Sequence, residues 1–210
     1  MTLPRLPLRP MVAVSLLVAA LLVGCTGLPK VAPAYAVHDF GVPEPVAARS
    51  AGVPLRGLEV VAAPWLASTA IQYRLAYAQP TRRQAYVESR WAAQPAQLVE
   101  LALKRAVRTG GEAGTSGACR LRVELDEFAQ VFDEAAASRG VVEARAFLLA
   151  PRSDQIVASR GFSLARPAPS ADALGGVAAL RGGVRQMGVE LSDWLEALGR
   201  EGAARGRCGA

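Results

Sequence analysis

Cys25 is the residue with the most definite chemistry. It closes the run Leu22-Val23-Gly24-Cys25, in the order of a bacterial lipobox: aliphatic, aliphatic, small, cysteine. Arg5 and Arg9 precede it as a basic n-region, and Met11–Val23 is an uncharged, mostly aliphatic stretch of 13 residues. That length suits an h-region and falls short of the roughly 20 apolar residues a transmembrane helix needs. Small Gly24 lets a peptidase reach the bond before Cys25. The Cys25 thiol is then diacylated, and its freed amine gains a third chain. Each buried methylene contributes about 0.8 kcal/mol, so two or three chains anchor a protein stably. The competing reading is an ordinary secretory signal with a chance cysteine, or a short membrane anchor. Thr26, where an Asp would favour retention at the inner membrane, leans towards the outer membrane.

Two further cysteines, Cys119 and Cys208, lie in the body of the chain. An envelope compartment is oxidising, so they are free to pair. Two free thiols remain the other reading. A nucleophile needs a base within hydrogen-bond reach and an oxyanion site. His38, beside Asp39, is the one imidazole, and no Gly-x-Ser-x-Gly surrounds any serine. One histidine and three cysteines rule out a His-rich or four-cysteine metal module within one chain. Asp126, Glu127, Asp133 and Glu134 form an acidic cluster, which solvated strand-end charges explain better than a carboxylate pair or cation site. Gly110–Gly117 is followed by no Gly-Lys-Ser/Thr and leads into a strand, so it is not a phosphate cradle. No catalytic residue, cofactor or metal is expected, and the reading is of a chain that is not an enzyme.

The 210 residues, 51% hydrophobic and 20% charged, give room for one domain with a tail. Removing residues 1–24 takes away Arg5 and Arg9, which leaves 22 basic against 18 acidic residues and a net charge of +4. Those charges are interspersed, and nothing in them resembles a nucleic-acid module. The expected organisation is a signal peptide over 1–24, a lipidated tether over 25–34, one folded domain over 35–200 and a tail over 201–210.

Within the domain, Tyr35–Phe40 alternates as a first strand, and the Gly- and Pro-rich residues 41–57 form a loop. Leu58–Ala63 is a short apolar strand stopped by Pro64. Ile71–Tyr77 and Gln84–Glu88 alternate as a hairpin turned at Gln79-Pro80-Thr81-Arg82. Trp91–Arg108 carries a helix signal, with Pro95 in its first turn. Three long strands follow, over Cys119–Phe132, Gly140–Ala150 and Gln155–Leu164. Leu121, Val123 and Leu125 share a face, and Phe128 comes three residues later, so a bulge is expected near Asp126-Glu127. A last helix runs from about Asp172 to Gly199 with Ser170 as its N-cap. Its seam of Val177, Leu180, Val184, Met187, Leu191, Trp194 and Leu198 packs on the sheet, or is shared in part with another subunit. Gly176, Gly182, Gly183 and Gly188 permit close approach to that sheet.

The order of these pieces resembles a known family. Pro64-Trp65-Leu66, Ile71-Gln72-Tyr73-Arg74 and Tyr86-Val87-Glu88-Ser89-Arg90-Trp91-Ala92, followed by Leu125-Asp126-Glu127-Phe128 and Trp194-Leu195, look like the ABC-type transport auxiliary lipoproteins of the PqiC type. Gln94-Pro95-Ala96 stands where that family would carry Pro-Leu. The resemblance implies an α+β fold, a mainly antiparallel sheet with two helices packed on one face. It implies a partner, the MCE-domain substrate-binding component of an ABC transporter that moves phospholipid or other apolar molecules between the membranes. A self-associated ring would suit a symmetric tubular partner of that kind. Trp65, Leu66, Tyr73 and Tyr77 are the expected exposed contacts. Arg74, Arg82, Arg83 and Arg90 would meet acidic partners or lipid head groups. A structural envelope lipoprotein with a module similar to the N-terminal part of TolB-like proteins is the rival reading. A lipid carrier with its own cavity is a third.

Overall fold

The computed structural model describes residues 34–42, 49–108, 117–202, 204 and 206–208. The lipobox, Cys25, the tether before Ala34 and most of the Gly110–Gly117 loop lie outside the described residues. Tyr35–Ala210 form one compact unit, distinct from Met1–Ala34.

The unit is built on one long strand. In chain order the strands are β1 (Ala36–His38), β2 (Arg49–Ser50), β3 (Leu55–Ala62), β4 (Ala70–Leu75) and β5 (Gln79–Trp91). They continue with β6 (Val107–Arg108), β7 (Cys119–Glu134), β8 (Ala137–Leu149) and β9 (Ile156–Pro167). Helix α1 spans Pro95–Ala106 and helix α2 spans Ala173–Glu201. Among the described residues the main sheet has seven strands in the order β1-β5-β4-β7-β8-β9, with β3 also paired to β7. β2 and β6 form a separate two-stranded ladder.

One edge of β7 pairs antiparallel with β8 over its whole length, and β9 follows antiparallel. The other edge is shared by two strands placed end to end, both parallel to β7. β3 covers Cys119 to Leu125, and β4 covers Gln130 to Phe132. The break between them comes from Pro64, which removes a ladder donor and opens the 3-10 turn Pro64–Leu66. The meander is antiparallel as expected, while β3, β4 and β1 add parallel pairs, so the sheet is mixed.

The phase slip seen in the sequence is a bulge. Leu125 faces Ala144 and Glu127 faces Glu143, which leaves Asp126 as the extra residue. It keeps Leu121, Val123 and Leu125 on the same buried face as Phe128. In a regular strand carrying all the same residues, Phe128 would turn to the opposite face. That face packs on α2 through Leu180, Val184, Met187, Leu191 and Leu195, all buried. Val177 and Trp194 pack at the margin of this core.

Several local expectations are corrected. The Asp172 carboxylate, not the Ser170 hydroxyl, caps α2. It accepts the Gly175 N–H at 2.8 Å, and Ser170 Oγ donates to it at 2.7 Å. Two residues out, Ser170 is placed to orient the cap rather than to be it. The hairpin turns at 76–78, because Gln79–Arg82 already belong to β5. The segment read as a loop over 41–57 contains β2 and the start of β3. Gly188 faces Ala106 and Leu103 of α1 rather than the sheet.

Candidate partner-contact surface

Opposite the helices, the bulge gathers charge. Asp126 and Glu127 follow one another on the polar side of the slip, and each holds arginines from neighbouring strands. Arg83 of β5 donates to both oxygens of Glu127, each at 2.7 Å, and Arg74 of β4 adds a third bond at 3.2 Å. Asp126 is gripped by Arg145 of β8 through two bonds, at 3.0 and 3.3 Å. Fork-to-carboxylate geometry of this kind fixes side-chain direction as well as adding energy. Glu127 is mostly buried beneath its two arginines.

Trp65 lies over this hub. Its ring sits 5.5 Å from the Arg83 guanidinium, in cation–π range. The Trp65 indole N–H donates to the Asp126 carbonyl at 3.3 Å, and Gln72 Nε2 donates to the Trp65 carbonyl at 2.6 Å. Gln72 Oε1 accepts from Arg83 at 2.9 Å. The indole is therefore held from several sides while 53% of the residue stays exposed. An aromatic anchored in this way meets a partner with little rotamer entropy left to lose.

The structure sorts the residues singled out from the sequence. Trp65, Arg74 and Arg83 come together on one patch. Arg82 stands apart at the start of β5, donating to Gln79 at 3.1 Å. Tyr77 is exposed in the β4–β5 turn. Leu66 is withdrawn: at 1% exposure it is a core residue, since the 3-10 turn aims Trp65 outwards and Leu66 inwards. Tyr73 points to the helix side. It stacks on Tyr86 with ring centroids 4.8 Å apart, lies against Phe132, and donates to Gln84 at 3.1 Å. Tyr86 in turn donates to Gln130 Oε1 at 2.8 Å, and Gln130 donates to Ser138 Oγ at 2.8 Å. Burial first, then the neighbouring Tyr73 and Asp172, push the Tyr86 hydroxyl far above its usual range. Arg90 lies under the Tyr35 ring at 4.8 Å and donates to the carbonyls of Tyr86 and Ser89.

Glu127 and Gln72, the two residues that organise the patch, were not picked out from the sequence as contacts. The slip of phase at Asp126-Glu127 was the available signal, because a bulge re-aims a side chain. Cys119 and Cys208 are joined as a disulfide, with Cα atoms 5.0 Å apart. Three acidic residues of the cluster pair with arginines: Asp133 with Arg139, Asp126 with Arg145, and Glu127 with Arg74 and Arg83. Among the described residues no group of three potential ligands is placed to hold a metal ion, and His38 Nε2 is buried without a hydrogen-bond partner.

A mixed sheet with helices on one face, and an aromatic set in a salt-bridge lattice on the other, defines an α+β module that presents a surface. The chain belongs to the family of ABC-type transport auxiliary lipoprotein components, whose model matches residues 39–192. It is similar in fold to protein XCC0632 from Xanthomonas campestris, of the family termed DUF330. That likeness has 23% identity and a TM-score of 0.65, and covers 80% of this chain and 99% of that one. An uncharacterised protein of known structure is similar at 15% identity and a TM-score of 0.57, covering 77% of this chain and 99% of its own. Comparison with proteins of curated function found no match.

Proposed function

We propose that this protein is a non-catalytic docking component, held by acyl chains on Cys25 at the periplasmic face of the outer membrane. It receives the MCE-domain substrate-binding component of an ABC transporter that moves phospholipid or other apolar molecules between the membranes. Family membership supports the transport association and the lipoprotein character. The observation that carries the docking reading is the Trp65–Arg83–Glu127 arrangement. It presents an oriented aromatic beside cations on the sheet face opposite α1 and α2. A partner surface with acidic and apolar side chains suits it. Trp65 and Arg83 form the centre of the contact, and Arg74 its rim. A ring of copies around a symmetric partner is compatible with a surface of this kind.

Two experiments test the reading. Labelled palmitate should enter the wild-type protein and not Cys25→Ser, and the variant should leave the outer-membrane fraction. Envelope pull-downs with the mature chain should recover an MCE-domain protein. Trp65→Ala should lose that recovery while the thermal melt stays close to wild type. An unmodified Cys25, or undiminished capture by Trp65→Ala, sinks the corresponding half.

A further inference from the structure

The edge of the sheet where the tether joins the domain has its own chemistry. Tyr35, Val37 and Val87 are 44%, 65% and 78% exposed, on or beside the short β1–β5 ladder. Val37 stands in register with Arg90. The Arg90 guanidinium holds the Tyr35 ring from below and is itself fixed on the carbonyls of Tyr86 and Ser89. The point where the chain leaves the fold is thus pinned rather than free to swing, and it is pinned among exposed apolar side chains.

We propose that this rim, with Tyr35, Val37 and Val87, lies against the lipid surface that the acyl chains enter. The proposal rests on the lipid-anchor reading of Cys25. Tyr35 lies ten positions after Cys25, and at roughly 3.3–3.6 Å per position the chain between them reaches at most about 36 Å. The order β1-β5-β4-β7-β8-β9 puts β9 five strands further off, about 24 Å at roughly 4.8 Å per strand. The rim is therefore the edge held to the shortest reach from Cys25, while β9 can lie about 24 Å further away. A tyrosine resting on a cation, flanked by bare valines, matches an interface with an apolar side and a wet side.

The disulfide leaves Cys25 as the one free thiol among three cysteines. The mature chain can therefore be coupled through Cys25 to a maleimide lipid in phosphatidylcholine vesicles. Orientation is then read whether or not the cell acylates that residue, which keeps failure of the rim separate from failure of the anchor. Val37→Trp is compared with Ile156→Trp, an exposed position on β9, each as a difference from the parent protein. The added emission at 37 should shift to the blue and be quenched by brominated lipid, and the emission at 156 should be unchanged. Val87→Trp gives the same readout if the strand position does not fold. Equal quenching at both edges, or stronger quenching at 156, overturns the proposal. So does protection at 37 without bromine quenching in a protein that scatters light as a dimer, because the rim would then bind a second copy.

Discussion

The side-chain amide of Gln130 occupies the space that a Cβ on residue 176 would fill. Helix α2 comes this close to β7 only because Gly176 has no side chain. Gly→Ala in a helix normally gains about 1 kcal/mol. At 176 the methyl would collide with the Gln130 carbonyl oxygen and break its bonds to Tyr86 and Ser138. Each buried polar group left unpaired costs about 1–3 kcal/mol. Gly176→Ala should therefore destabilise. Gly182→Ala has only Arg166 near its new methyl, at 3.7 Å, and should stabilise by roughly 0.5–1 kcal/mol. Denaturant midpoints of the two variants should move in opposite directions.

Glu127 is one carboxylate serving two arginines. Removing it leaves Arg74 and Arg83 facing each other with no counter-charge. The pair is partly screened, so the cost falls between the surface and buried limits, about 1–3 kcal/mol for Glu127→Ala. Arg83 would also leave Trp65, and the indole would gain freedom. Urea melts should report the loss of stability, and a shorter Trp65 fluorescence anisotropy decay the loosening. In a protein that also carries Trp91→Phe and Trp194→Phe, the signal belongs to Trp65 alone. An unchanged decay contradicts the account of the patch.

The Cys119–Cys208 disulfide closes a loop of 89 residues that includes β8, β9 and α2. A cross-link over such a span restricts the unfolded chain and stabilises the fold by about 2–5 kcal/mol. The double variant Cys119→Ser, Cys208→Ser should melt well below the wild type. Reductant should lower the wild-type melt and leave the variant unmoved.

Acid and base should weaken the fold through different groups. The Tyr86 hydroxyl, buried and beside Tyr73 and Asp172, is held above its ordinary 10.0. A group whose neutral form the fold favours contributes fully below its unfolded value and loses that contribution as pH rises through the folded one. Stability should fall beyond pH 10.0, and less steeply in Tyr86→Phe. Asp172 behaves oppositely. The Gly175 N–H first, then the Ser170 hydroxyl, hold its carboxyl below the usual 3.8. Its contribution is present above that value and disappears as pH falls through the folded one. Asp172→Asn should flatten the acid limb of the stability profile.

The sheet-forming residues could be recognised because alternation and its slip are local. Leu121, Val123, Leu125 and then Phe128 announce both strand and bulge. The seam of α2 was equally plain, since seven residues at helical steps can make only one stripe. What sequence did not reveal was non-local. Arg74 and Arg83 lie 53 and 44 residues from Glu127, and no periodicity links them. In sequence Pro64-Trp65-Leu66 reads as a turn, which puts Leu66 at the surface. A 3-10 turn rotates successive side chains by about a third of a circle, so one neighbour of an exposed tryptophan is driven inwards. The parallel pairing of β3 and β4 with β7 follows from the long connections between them, and short-range alternation carries no sign of strand direction.

The extra residue at 126 is a place where chain length can change without changing which side chains are buried. Losing its codon would leave a plain ladder in which Leu125 and Phe128 still point inwards and Glu127 outwards, opposite Glu143. What would go is the Arg145 clasp and the local bend of the strand. An in-frame deletion of that triplet should therefore still give a folded protein, while one further codon inserted beside 126 should reverse the facing of the residues that follow and behave as a null allele.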